Sequence, residues 1–363
     1  MARPSSLDAV ARTDRVRDAR QSEHEEVRIV RGTRTGATIT VAVYSTERGP
    51  AIGGCRIMSY PSWREGVRDA LRLSEAMAMK SALAGLPYGG GKTVAVLPGG
   101  GLDTTRRLDL ITDIAEVVAG FEGRYIAGPD IGSTPDDMAL IHRLAQGNAF
   151  CRPEAEGGSG NSSAATARGV VAALIAGFHH RYGVSSIAGS KIGVIGLGHV
   201  GHLAAESLAR EGARVIVTDI DSSLRADAER NGLEWATTDL LRDELDVLVP
   251  AATGGMLTRE TASTCRAGLI VGPANNQLAD DSVDALLHQR SVTWVPDMLA
   301  GAGGIIHAVS REKLGLDAER TNAVVGQIGD KVGQLLAYAQ ERHVTPLQAA
   351  REISSDTDSK VNA

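Results

Sequence analysis

The sequence predicts an α/β fold in two domains, an N-terminal α/β domain and a doubly wound parallel sheet, with a ligand cleft between them. Three observations predict it. A length of 363 residues exceeds what one hydrophobic core organises. Beyond residue 164, short apolar runs alternate with amphipathic stretches, the pattern of strands and helices taken in turn. Just before that alternation begins, the polar, Gly- and Ser-rich stretch Glu156 to Ser163 interrupts the chain.

Residues 1–24 carry Arg and Asp without the apolar run of a secretory signal, and are expected to form a loosely ordered tail. Residues 25–60 alternate apolar and polar positions, as in Val27-Arg28-Ile29-Val30 and Ala37 to Val43, which predicts half-buried strands. Ser62-Trp63-Arg64-Glu65 is a capping-box pattern, and Val67, Ala70, Leu71, Ser74, Met77 and Ala78 follow at helical spacing. That helix carries Lys80 at its far end. A Gly-rich segment from Leu86 to Lys92 then leads to an apolar strand over Thr93 to Leu97. A helix over 108–120, a strand over Arg124 to Ala127, and a helix begun by Thr134-Pro135 complete an N-terminal domain of residues 25–155.

The second domain, 156–317, is expected to open with a helix over 164–182. Strands follow at Lys191 to Ile195, Arg214 to Thr218, Val247 to Pro250, Gly268 to Val271 and Thr293 to Val295. Helices over roughly 318–341 and 345–354 come last, and residues 318–363 are expected to return to the first domain.

Composition excludes several classes of function. No apolar run approaches the roughly 20 residues that cross a bilayer. A formal charge of -6, with three Phe and three Trp, offers neither a basic surface nor stacking groups for nucleic acid. Cys55, Cys151 and Cys265 are widely spaced and form no C-x-x-C pair, which argues against disulfides or structural zinc and suits a reducing cytoplasm. His199 and His202 stand three residues apart, but no third ligand is evident, so no metal is expected. A small molecule is the expected partner.

Gly196, Gly198 and Gly201 form G-x-G-x-x-G, with Leu197, His199 and Val200 between them, in a turn from predicted strand to predicted helix. Backbone N–H groups at the start of a helix meet a pyrophosphate there without intervening Cβ atoms. Asp219, at the end of the next strand, suits the ribose hydroxyls of NAD and repels the extra phosphate of NADP. An ordinary βα turn followed by a loop Asp is the plainer alternative.

Of 38 basic residues only six are Lys, at positions 80, 92, 191, 313, 331 and 360. Lys differs from Arg in being able to give up its proton. Lys80 and Lys92 lie 12 residues apart, and Leu86 occupies the place where a Walker A loop needs Gly, so Tyr88 to Thr93 is not a phosphate loop. Three glycines let backbone and amine crowd a small substrate, and two amines in one cleft depress each other's proton affinity. Asp130, after Gly128-Pro129, supplies a carboxylate for proton relay. Taken singly, a surface Lys, a turn Lys and a helix-start Asp fit equally well.

The segments Gly49 to Arg56, Met79-Lys80, Leu86 to Lys92, Gly128-Pro129-Asp130, Gly196 to Gly201, Ala274-Asn275-Asn276 and Ala302-Gly303-Gly304 together resemble the glutamate, leucine, phenylalanine and valine dehydrogenase family. The nearest likeness is to phenylalanine dehydrogenases of actinobacterial type, over about residues 25–350. The resemblance implies NAD-dependent oxidative deamination of an amino acid by a homo-oligomer built through the first domain. It implies that Lys80 binds the α-carboxylate with help from Gly53 and Gly54, that Lys92 activates water, and that Asp130 moves protons at the amine. Ile52, Met77, Gly128, Pro129, Asn276 and Ile305 complete the implied substrate contacts. Thr166, Ala251, Ala252 and Asn275 join the Gly-rich turn and Asp219 in the implied cofactor set.

Ile52 and Ala308 stand where glutamate-specific members resembling this chain carry Lys and Ser, so an apolar side chain is expected. Gly128 matches the small residue of the phenylalanine enzymes and favours phenylalanine, whereas Ile52 and Ile305 narrow the pocket and keep leucine and valine open. Two positions depart from the family: Gly301 where Asn is usual, and Ala251 where Cys is usual. They leave two further readings, a sensor that holds NAD without turnover and an enzyme aminating an unusual 2-oxo acid.

Overall fold

The computed structural model describes residues 23–97 and 104–361. Residues 1–22 of the expected tail lie outside the described residues. His24, assigned to that tail, is tied down: its Nε2 lies 2.9 Å from Ser74 Oγ and its ring stands edge-on to Tyr44. The chain divides into two compact units, the first of the described residues up to Ser81 with Pro87–Gly157, the second of Ala82–Leu86 with those from Gly158 onward.

The first unit contains β1 (Glu26–Arg31), β2 (Thr38–Ser45), β3 (Ala51–Met58), α1 (Trp63–Leu83), β4 (Gly89–Val96), α2 (Thr104–Ala119), β5 (Tyr125–Pro129) and α3 (Pro135–Leu144). Its sheet runs β1-β2-β4-β3-β5. β1, β2 and β4 pair antiparallel, while β3 pairs parallel with both β4 and β5. Strand alternation sorts the side chains onto two faces. Ile39, Val41, Val43, Cys55 and Ile57 meet Leu110, Ile114, Met138 and Ile141 of α2 and α3, while Ala42, Val94 and Val96 meet Val67, Ala70 and Leu71 of α1. α3 starts as its sequence predicts, with Pro135 in the first turn and Thr134 capping it in a box with Asp137.

One boundary bears on the site, while α2 begins at Thr104 and the helix expected over 318–341 is two, Ala318–Gly326 and Ile328–Arg342. β4 begins at Gly89, not at Thr93, so the end of the Gly-rich segment is a fully buried part of a central strand. A Cβ on Gly90 would collide with the backbone of Ala78 in α1, and one on Gly91 would stand 2.7 Å from the Tyr125 ring. These glycines make room for neighbouring parts of the chain, which corrects the expectation that they make room for a substrate.

The second unit contains α4 (Ser163–Tyr182), β6 (Lys191–Ile195), α5 (His199–Arg210), β7 (Arg214–Thr218), α6 (Arg225–Arg230), β8 (Glu234–Trp235) and β9 (Val247–Pro250). It continues with α7 (Arg259–Thr264), β10 (Leu269–Ile270), α8 (Ser282–Gln289), β11 (Thr293–Trp294), α9 (Asp297–Ala300), α10 (Gly303–Glu312), α11 (Ala318–Gly326), α12 (Ile328–Arg342) and α13 (Pro346–Val361). The sheet order is β11-β10-β9-β6-β7-β8, every pairing parallel. Successive strands step outward in opposite directions from β6 and β9, which makes the carboxyl ends of those two strands the switch point of a doubly wound sheet. The last helices belong here: Gly169 of α4 abuts Ile328 of α12, and α13 packs on α12. α12 buries its apolar face (Val332, Leu335, Leu336) within this unit, which also takes in Ala82–Leu86 of the expected first domain; a Cβ on Gly85 would stand 2.7 Å from Lys331 Nζ of α12.

Candidate active site

In the first unit, β3, β4 and β5 run side by side and bring three separate segments together. Lys92, on the α1 face of β4, is 5% exposed, and its ammonium donates to Asp130 Oδ2 beyond the end of β5. Beneath them lies Gly54 of β3: a Cβ there would stand 2.9 Å from Lys92 Nζ and 2.8 Å from Asp130 Cβ. Any side chain at Gly54 would therefore displace the pair. The carbonyl of Gly53 accepts from the buried Tyr125 hydroxyl at 3.1 Å, while that hydroxyl accepts from Thr93 at 2.9 Å.

Lys80 is half-buried in the last turn of α1. Two residues earlier, the Ala78 backbone of α1 rests on Gly90, which precedes Lys92 by two residues on the same strand face. Met77 is half-buried on the same stretch of α1, and Ile52 is fully buried on the face of β3 that holds Gly54.

Burial sets the charge states. Removal from water pushes the Lys92 ammonium below its ordinary pKa of 10.5, and the attraction of Asp130 only partly offsets this. Burial works to raise the Asp130 carboxyl, but the Lys92 and Arg56 cations outweigh it and hold Asp130 below 3.8. Cys55, buried beneath the pair, has its thiol pushed up to about 12 and stays neutral. Among the described residues no group of three or more His, Cys, Asp and Glu is placed to hold a metal.

Two groups at this site escaped the sequence reading. Arg56 of β3 donates through Nε to Asp130 Oδ2 at 3.1 Å; its only local signal was a charge on a strand of small and apolar residues. Phe150 follows α3 and pairs beside β5, its N–H donating to Ala127 O at 3.0 Å. A Cβ on Gly128 would stand 2.6 Å from the Phe150 ring tip. The chain's own aromatic ring therefore lies where a side chain at Gly128 would stand. Pro129 is half-buried at the end of β5.

The second unit gathers the other predicted residues at the carboxyl ends of its strands. Gly196, at φ 106°, packs against Ala252, whose N a Cβ would approach to 2.6 Å. A Cβ on Gly201 would crowd the Gly196 carbonyl and come within 3.0 Å of Ala251. Gly198 has nothing within 4 Å in that direction and immediately precedes α5, which opens with His199 and Val200. One glycine makes the turn, one seats the helix, and one leaves space in front of the helix N-terminus, where a pyrophosphate fits. Asp219 accepts from the Leu197 N–H at 2.6 Å, so it braces the turn from the end of β7.

Farther along the same edge, a Cβ on Gly254 would stand 2.5 Å from the Asn275 carbonyl. Asn275 and Asn276 are exposed, and their loop is pinned from below. The Asn276 N–H donates to buried Asp297 at 2.8 Å, and buried Gln277 bridges the Trp294 indole and the Gly272 carbonyl. Thr166 lies against the start of α10, where a Cβ on Gly304 would stand 2.8 Å from its hydroxyl. Ile305 is half-buried one residue later, and Gly301 caps α9 3.5 Å from the Pro273 carbonyl, measured from its would-be Cβ. His307 is a packed residue, its Nε2 3.1 Å from the Ser159 carbonyl.

A doubly wound sheet with an open glycine turn, in a chain that also holds a buried Lys–Asp pair, defines a dinucleotide-dependent oxidoreductase. Residues 12–146 match the Glu/Leu/Phe/Val dehydrogenase dimerisation domain, and residues 224–354 match the Glutamate/Leucine/Phenylalanine/Valine dehydrogenase domain. Residues 168–271 match the NAD-binding domain of D-isomer specific 2-hydroxyacid dehydrogenases. The chain is 36% identical to a valine dehydrogenase of Streptomyces virginiae, over 92% of this chain and 93% of that one. It is 34% identical to a phenylalanine dehydrogenase of Bacillus thermotolerans, over 92% and 88% of the respective chains. An L-tryptophan dehydrogenase from Nostoc punctiforme superposes with a TM-score of 0.82 at 28% identity, covering 95% of this chain and 98% of that one. The chain belongs to the Glu/Leu/Phe/Val dehydrogenase family and is an NAD-dependent amino acid dehydrogenase.

Proposed function

We propose that this enzyme deaminates an aliphatic L-amino acid of valine to leucine size to its 2-oxo acid and ammonium, and runs the reverse amination. The observation that carries the reading is the buried Lys92–Asp130 pair seated on Gly54. In this reading the turn from Gly196 to Gly201, with Asp219, Thr166 and Asn275, would hold NAD, which when bound would supply the hydride acceptor for the substrate Cα. Lys80 holds the α-carboxylate. Lys92, with its proton affinity lowered by burial, takes a proton from the water that attacks the resulting imine carbon. Asp130 accepts and returns the proton at nitrogen as the carbinolamine collapses and ammonium leaves.

Side-chain size rests on Phe150 and Ile52. The Phe150 ring at Gly128 and the buried Ile52 are the apolar groups that favour a compact aliphatic side chain in this reading. Neither offers a partner to a distal carboxylate. Among the described residues no helix is long and apolar enough to cross a membrane. A homo-oligomer is the assembly this reading carries, because residues 12–146 match a domain described by dimerisation.

The test is NADH absorbance with a panel of L-amino acids. L-valine and L-leucine are expected to give the highest kcat/KM, with L-phenylalanine well below and L-glutamate silent. Silence across every apolar amino acid would favour a nucleotide sensor instead.

A further inference from the structure

We propose that Arg56 is the positioning residue of this site: clamped by Asp69, its guanidinium shares Asp130 Oδ2 with Lys92 and fixes the carboxylate that the Lys92 amine faces. The proposal rests on the reading of Lys92 as the base. Arg56 projects from β3 on the face that holds Gly54. Its Nε donates to Asp130 Oδ2 at 3.1 Å, and its Nη1 donates to Asp69 Oδ2 of α1 at 2.8 Å. The Tyr60 hydroxyl donates to that same Asp69 oxygen at 2.6 Å, and Arg72 donates to the other at 2.8 Å. Arg56, Asp69 and Asp130 have side chains only 15%, 16% and 20% exposed, so their charges are weakly screened.

A Lys–Asp pair alone locks its proton on the lysine, because losing it strands a partly buried carboxylate. Arg56 removes that lock. Its guanidinium keeps its proton at any working pH, so Asp130 retains a counter-charge after Lys92 becomes neutral. Asp69 is then matched by Arg72, and the four remaining charges balance. Arg56 also repels the Lys92 ammonium directly. The other groups facing this centre do not compete: the Cys55 thiol is neutral, and Asp137 of α3 is paired with Arg107 of α2. Tyr60, held to Asp69, has its hydroxyl pushed well above its ordinary pKa and stays protonated.

The clamp also sets α1. Asp69 and Lys80 are 11 residues apart, about three helical turns, and so share one helix face. Fixing Asp69 to Arg56 fixes the helix rotation that presents Lys80.

The test compares wild type with R56M, R56K and D69N by two readouts. One is the pH profile of kcat/KM for L-valine or L-leucine, whichever turns over. The other is the pH dependence of Lys92 carbamylation by cyanate, read by peptide mass spectrometry and independent of activity. In R56M the carbamylation midpoint is expected to rise, cutting the neutral amine about tenfold at fixed pH. Turnover at neutral pH should fall at least as much and recover toward high pH, with NAD affinity retained. R56K should restore most of both, whereas D69N, which removes a carboxylate and leaves the Arg56 charge unneutralised, should lower the midpoint. An unmoved midpoint in R56M, or a loss equal at all pH values, overturns the proposal. If R56M does not fold, an unmoved midpoint in D69N overturns it equally. Full turnover in K92A would sink the reading of Lys92 as base, while the carbamylation shift would still report Arg56 acting on that amine.

Discussion

The two glycine clusters, one in each unit, do opposite work. In β4, Gly90 and Gly91 are buried in a central strand and give their missing side-chain volume to Ala78 and Tyr125. In the turn before α5, Gly198 faces space, and nothing of the chain comes within 4 Å of where its Cβ would be. Gly128 belongs with the first kind, since Phe150 takes its space. A glycine thus announces a close approach but not the identity of what approaches. Only the three-dimensional neighbour says whether it serves packing or a ligand.

The largest expected effect separates the clusters most sharply. Gly90→Ala drives a methyl into the α1 backbone, which cannot yield as a flexible side chain would, so a loss of at least about 1–3 kcal/mol is expected. Thermal melting should show it, and a wild-type melting temperature would break the comparison. Lys92→Ala is expected to cut kcat by about 10²–10⁴-fold while leaving NAD affinity intact. In the wild type, kcat/KM should climb as pH rises through the lowered Lys92 pKa, since the neutral amine is the active form and its midpoint lies below 10.5. A profile flat up to pH 10 would remove Lys92 from that step.

Phe150→Ala tests the packing role of Gly128. It should raise the kcat/KM ratio of L-phenylalanine over L-valine by about 10- to 100-fold, and the ratio is insensitive to any general loss of stability. An unchanged ratio would place the substrate side chain elsewhere. The smallest effect sharpens the other half of the comparison. Gly198→Ala, at φ −61° with open space before it, should melt like wild type yet bind NAD about tenfold more weakly, as calorimetry would measure. Equal NAD affinity would mean that Gly198 faces no ligand.

Much of this was legible along the chain because the signals are local. The strand-turn-helix at residues 191–210, the strand ending before Asp219 and the Thr134-Pro135 cap each depend on neighbours a few residues away. Hydrophobic alternation placed β1 to β3, and the scarcity of Lys singled out Lys80 and Lys92. The partners of the C-terminal helices were not legible, because an amphipathic helix states that it has a partner, not which one. The start of β4 was placed too late because a strand of glycines lacks the apolar side chains by which strands are recognised.

By itself, the sequence determined most of the secondary elements, the doubly wound sheet, the dinucleotide turn and the identities of the two lysines and the acid. Those properties rest on short-range geometry and on residue chemistry. Tertiary structure decided that Arg56 and Asp69 brace the Lys92–Asp130 pair, that Phe150 fills the space at Gly128, and that α12 lies on α4. Such contacts join segments up to tens or hundreds of residues apart. Strand order and helix packing fix them, and periodicity along one chain carries no record of either.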